Sequence, residues 1–153
     1  MIYSVALLLG VVAGLRAVMA PAAVSWAAFL GLFNLSGNWL AFLGYRWTPW
    51  VFSIAAIGEL VTDQLASTPS RKVFVQFATR IVLGGLSGAV VGIPSGSWAG
   101  TASIGIVGAI AGTLGGASVR SRMARYFRRD RPAALIEDAV ALLFAVVAVA
   151  LLA

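Results

Sequence analysis

The chain is a succession of long apolar runs separated by short polar breaks, the pattern of helices that cross a bilayer rather than of helices half-buried on a soluble core. Residues 2–20 predict a first helix. Gly10 and Gly14 give it a GxxxG step for close helix approach, Arg16 lies near its end, and Pro21 is expected to stop or kink it. Residues 22–44 are apolar but interrupted by Asn34, Ser36, Gly37 and Asn38, so they either cross as a broken helix or dip in and return. One helix needs only about 20 residues to cross a core of roughly 30 Å, so the chain must turn within residues 2–44. A third helix starts at Thr48-Pro49, with Thr48 as N-cap and Pro49 in first position, and runs to about residue 65. Residues 73–93 predict a fourth helix, with Gly84, Gly88 and Gly92 along one face. Residues 94–96 turn, and residues 98–119 predict a fifth helix with Gly108, Gly112 and Gly116 at the same spacing. Two such stripes on neighbouring spans imply tight packing through glycine. Residues 132–153 predict the last helix.

Composition turns this pattern into a class. Of 153 residues, 61% are hydrophobic and 10% charged, and the mean hydropathy is +0.98. A soluble domain carries roughly 25% charged residues, so this chain cannot cover a water-facing surface. The expectation is an all-α polytopic transmembrane bundle of five or six spans, forming one domain over residues 1–153. The N-terminus lacks a basic leader and is interrupted by Arg16, so it reads as a first span rather than a cleaved signal peptide.

The net charge of +6 sits in short connections, which points to membrane orientation and not to nucleic acid. One basic connection holds Arg71 and Lys72. The other, over residues 120–131, holds Arg120, Arg122, Arg125, Arg128, Arg129 and Arg131. Two spans separate them, so both face the same side, the cytoplasmic side of a bacterial inner membrane. A crossing at residues 22–44 gives six spans and an outside N-terminus; a re-entrant one gives five and an inside N-terminus. The aromatic and basic cluster of Tyr45, Arg46, Trp47 and Trp50 lies at the outer headgroup level in both.

Five acidic residues remain to be placed. Glu59 and Asp63 are four apart and share a helix face. In the six-span arrangement Arg16, Glu59, Asp63, Arg80, Glu137 and Asp138 all fall in the cytoplasmic half, where they could form one network; with five spans Arg16 is stranded opposite. Carboxylates in apolar spans are costly and usually functional. Facing a water-filled cleft, they would bind a cation or carry protons. Alternatively they pair with Arg16, Arg80 and the basic connection and only pin helices together. Glu137 and Asp138 fit that second reading best, because a helix N-terminus favours acidic side chains. Ser67, Thr68, Ser70, Arg71 and Lys72 form a turn that could hold a phosphate or lipid headgroup, although a capped, basic, inward-facing turn explains it as well. The residue 120–131 connection, with Tyr126 and Phe127, could bind anionic lipids.

There is no cysteine and no histidine. Disulfides, thiolate chemistry and the usual zinc sites are therefore excluded, and a serine has no histidine base to activate it. Neither enzyme chemistry nor a cofactor is expected. A weak internal match pairs Ala17-Val18 and Ser25-Trp26-Ala27 with Ala89-Val90 and Ser97-Trp98-Ala99. If it marks a duplication with halves 1–70 and 71–153 of three spans each, the halves are inverted, as in many transporters.

GLRA at residues 14–17, APAAVSW at 20–26, ELVTDQLASTPSR at 59–71 and DRPAALIEDAVA at 130–141 resemble a family of small bacterial integral membrane proteins. That family is catalogued as the domain of unknown function numbered 4126. The resemblance covers nearly the whole chain and implies an inner-membrane protein, without an activity or a site residue. The reading from the residues is a small transporter or channel for an ion or solute, acting as a homo-oligomer. The alternative is a structural or accessory subunit of a larger membrane complex.

Overall fold

In the computed structural model, which describes residues 1–63 and 73–153, the protein is all helix among those residues. Six α-helices follow one another: α1 (Ile2–Leu15), α2 (Met19–Phe29), α3 (Thr48–Thr62), α4 (Phe74–Gly92), α5 (Trp98–Phe127) and α6 (Asp130–Ala150). Short 3-10 segments, Trp39–Gly44 and Ile93–Ser95, join α2 to α3 and α4 to α5. Helices α4, α5 and α6 are long and apolar enough to cross a membrane; α1, α2 and α3 are apolar but shorter. Leu135, Leu142, Leu143 and Val146 turn outward from α6 and stay exposed, which suits lipid and not water.

The helices alternate in direction. Tyr3 lies beside Gly100 and Gly14 beside Thr113, so α1 and α5 run parallel. Gly84 meets Ala109 while Gly92 meets Ser97, so α4 runs against α5. The Trp26 indole donates to Ser53 and the Val18 amide donates to Glu59, so α3 runs against α2. An up-down bundle results. Its centre is the trio α1, α4 and α5, with α6 against α1 and α5, and with α2 and α3 on the flank.

Glycine sets how tightly the trio packs. A Cβ on Gly14 would lie 2.6 Å from the Thr113 amide nitrogen, and one on Gly84 would lie 2.7 Å from the Ala109 methyl. The two stripes do not face each other. Helix α5 presents Gly108 and Gly112 to the GxxxG step of α1, and Thr101 and Gly105 to the stripe of α4. It therefore needs small residues on two faces, and every fourth position supplies only one.

Several boundaries depart from the sequence reading. The first helix ends at Leu15, not near Pro21, because Arg16 takes an extended backbone (φ −139°, ψ 107°). Pro21 is third in α2, where a missing N–H costs nothing because the first turn has no internal acceptor for it. Helix α3 starts at Thr48, with Trp47 as N-cap and Pro49 second; the Thr48 hydroxyl is drawn instead to the Phe42 carbonyl, 2.7 Å away. Helix α5 continues to Phe127 through most of the expected basic connection, since arginine is a good helix former. Only Arg128, in the left-handed region at φ 52°, and Arg129 separate it from α6.

In residues 22–44, Asn34 Oδ1 accepts the Ser36 amide, Asn38 caps the 3-10 segment, and Gly31 and Gly37 take positive φ, so the polar interruption is a turn. The matched stretches of the internal repeat differ locally: Trp26 lies within α2, and Trp98 opens α5. All five tryptophans lie towards the end of the bundle where α1 and α5 begin. Arg46 is there too, its guanidinium 5.5 Å from the Trp47 ring centroid.

Candidate functional site

The opposite end of the bundle gathers the charge. Arg16 lies in the three-residue turn between α1 and α2 and is fully buried. Its Nη1 donates to Asp63 Oδ2 at the end of α3, and its Nε and Nη2 both donate to Asp138 Oδ1 on α6, with Nε at 2.6 Å. One guanidinium thus ties the first hairpin to α3 and to α6. Its planar fork allows this, because the two carboxylates approach from different edges.

The same turn leaves helix ends to satisfy. The Ala17 and Val18 amides, at the start of α2, donate to Oε1 and Oε2 of Glu59 at 2.7 and 2.9 Å. The Gly14 and Leu15 carbonyls, at the end of α1, accept from Arg80 Nη1 at 2.9 and 2.8 Å. Glu59 and Arg80 then pair with each other at 3.5 Å. Each charge lies where the helix dipole favours it, a carboxylate at an N-terminus and a guanidinium at a C-terminus. Glu59→Gln removes the charge and is expected to lower stability by about 1–3 kcal/mol, the range for a buried charged hydrogen bond. Thermal unfolding in detergent measures it; an unchanged midpoint would refute the capping role.

A third guanidinium completes the cluster. Arg120 Nη1 is 2.8 Å from Asp63 Oδ2 and 3.5 Å from Glu137 Oε2, and its Nη2 is 2.5 Å from Asp130 Oδ2. Every acidic residue of the chain therefore lies at this end: Asp63, Asp130, Glu137 and Asp138 are joined through Arg16 and Arg120, and the Glu59–Arg80 pair meets them at the backbone of the α1–α2 turn. Among the described residues the cluster holds five carboxylates against three guanidinium groups.

The structure thus brings together all six residues expected to share one half of the bundle: Arg16, Glu59, Asp63, Arg80, Glu137 and Asp138. It pairs Glu137 with Arg120 and Asp138 with Arg16, as the helix-pinning reading expects, although the helix starts two residues earlier than expected. Both acids lie past the first turn of α6, whose first-turn acid is Asp130. Sequence reasoning missed Arg120 and Asp130 by assigning them to a basic connection. A signal was present: Gly108, Gly112, Gly116 and Arg120 are evenly spaced by four, which puts Arg120 on the inward face of α5. Arg122, Arg125, Arg128, Arg129 and Arg131 remain exposed beside Tyr126. Ser67, Thr68, Ser70, Arg71 and Lys72 lie outside the described residues.

Above the network, between α2, α3 and α6, an apolar cleft of about 610 Å³ opens to the surface. A smaller one of about 300 Å³ lies between α1, α5 and α6 and reaches Arg120 and Glu137. Among the described residues no group of acidic side chains has the arrangement of a metal site. Comparison with family models, curated proteins and solved structures finds no match.

Proposed function

We propose that this protein is a small multi-pass transporter of cations or protons in a bacterial inner membrane, and that the charge network is its inner gate. The observation that carries the reading is the convergence of every carboxylate of an otherwise apolar chain on one end of the bundle, through residues of four different helices and the α1–α2 turn. Charges within membrane segments are retained where ions or protons move. The short α1–α2 turn, held by Glu59 and Arg80, supplies helix ends inside the bundle, a device that transporters use at their binding sites.

In this reading α4, α5 and α6 cross the bilayer, and the shorter α1, α2 and α3 lie within it beside them. The exposed arginines from Arg122 to Arg131 support a cytoplasmic charged end with the tryptophan-rich end outside. Those arginines with Tyr126 are suited to anionic headgroups, and a second copy of the chain is the expected partner.

The test is flux into liposomes under proton and cation gradients, with wild type beside Asp63→Asn and Glu59→Gln. Wild type should conduct, and both variants should fall at least tenfold while remaining folded. The network also suits a second reading, a non-transporting accessory subunit, because each carboxylate already has a guanidinium partner. Absence of flux in folded wild type, together with a protein that co-purifies from the native membrane, would establish that reading instead.

A further inference from the structure

The smaller cleft, between α1, α5 and α6, carries charge in its own lining. Its walls are apolar: Val11 and Leu15 come from α1, Val119 from α5, and Ile136 and Val140 from α6. Arg120 and Glu137 complete the lining. Gly115 leaves the space of about 300 Å³ open, since a Cβ built there meets no atom within 4 Å. Val119, Ile136 and Val140 are exposed, so the mouth lies on the surface that α5 and α6 turn to lipid.

Glu137 is the most deeply buried of the five carboxylates. Its side chain is 7% exposed, against 60% for Asp130 on the same helix. Its surroundings suit both of its protonation states. Ionised, its Oε2 lies 3.5 Å from Nη1 of Arg120. Protonated, it is a neutral group beside hydrocarbon walls, where burial penalises only a charge. Arg120 then keeps Asp63 and Asp130 as partners, so its own charge is not stranded. Among the described residues, the charges around Glu137 are Arg120 from α5, Asp63 from α3 on the same guanidinium, and Asp130 and Asp138 from its own helix. Arg16 holds Asp138, and α1 gives the cleft only Val11 and Leu15.

This lining also selects among positive cargoes. Hard divalent cations take roughly six to eight oxygen ligands. The cleft offers one carboxylate beside a guanidinium, which repels a metal ion. A proton needs a single oxygen. We infer that Glu137 is the carboxyl that takes up and releases the transported proton, and that the cleft opens it to the bilayer. The inference rests on the reading of the chain as a transporter and narrows its cargo to the proton.

Dicyclohexylcarbodiimide, an apolar reagent that dissolves in lipid, tests this on the protein in liposomes. A protonated carboxyl adds across one C=N bond of the reagent, its oxygen to carbon and its proton to nitrogen. Acyl migration from oxygen to nitrogen then leaves a stable N-acylurea, with no leaving group. Labelling is expected at Glu137, faster as pH falls, while a water-soluble carbodiimide with glycine ethyl ester labels Asp130. Fragment mass spectrometry assigns the sites. Gly115→Phe fills the cleft without changing a charge and should slow labelling of Glu137 at least tenfold in folded protein. Glu137→Gln should lower proton flux at least tenfold. Preferred labelling of another carboxylate, labelling of Glu137 that ignores pH, or no labelling of folded wild type would overturn the assignment. Labelling needs no transport, so the two readings fail separately. Undiminished proton flux in folded Glu137→Gln would sink this inference and leave the transport reading standing. Labelling of Glu137 in a protein that carries no proton would sink the transport reading, and this inference with it.

Discussion

Arg16→Met is expected to cost about 3–5 kcal/mol, the range for removing one partner of a buried ion pair. The side chain is 1% exposed and holds Asp63 and Asp138 together at the bundle's charged end. Methionine fills much of the same volume but leaves Asp138 without the guanidinium that binds it. The damage should come from the stranded carboxylate more than from lost packing. A second substitution separates the two: Asp138→Asn added to Arg16→Met should restore at least 1 kcal/mol, since residues in one network couple by roughly 0.5–3 kcal/mol. Lysine should rescue poorly, because a single ammonium cannot reach two carboxylates from two edges. Thermal and denaturant unfolding in detergent, checked by circular dichroism, would measure all three. Wild-type stability of Arg16→Met would show that the network is not what closes this end of the bundle.

Gly105→Ala should be the next most damaging, and Gly115→Ala, ten residues along the same helix, should be harmless. Gly105 lies where three helices meet. A methyl there would run into the Gly84 carbonyl, with the Gly84 carbonyl carbon at 3.1 Å and the Gly88 Cα at 3.2 Å. These are backbone atoms and cannot rotate away. Helix α4 would have to move off α5, at about 1–3 kcal/mol or more for an overpacked core. Gly115 has no atom within 4 Å of an added Cβ, so alanine there should gain up to about 1 kcal/mol in helix propensity. Unfolding midpoints of the two variants decide it. Equal effects would mean that close helix approach through glycine does not hold the trio together.

The network explains why so small a chain retains charge inside apolar helices. The α1–α2 turn buries four backbone groups at helix ends, and bilayer hydrocarbon offers nothing to satisfy them. Glu59 and Arg80 do so, and their pairing reduces the cost of burying each.

Length, low charge, the six apolar runs and the glycine spacing determine an all-helical fold with closely packed spans, because each is a property of consecutive residues. The sequence also places Glu59 and Asp63 on one face, since a four-residue step on a helix settles it. It cannot show that Arg16 ends a helix in place of Pro21. That depends on Glu59 and Arg80, 43 and 64 positions further on, arriving to satisfy the exposed amides and carbonyls. Nor can it show that Arg120 and Asp130 belong to the network and not to a surface connection. Their partners come from α3 and α6, and only the packing of α5 against α1 and α6 turns Arg120 inward. The cleft is the clearest case: its walls are apolar residues of three helices that read as packing surface in each helix alone. They enclose a space only because α3 and α6 flank α2 without closing on each other.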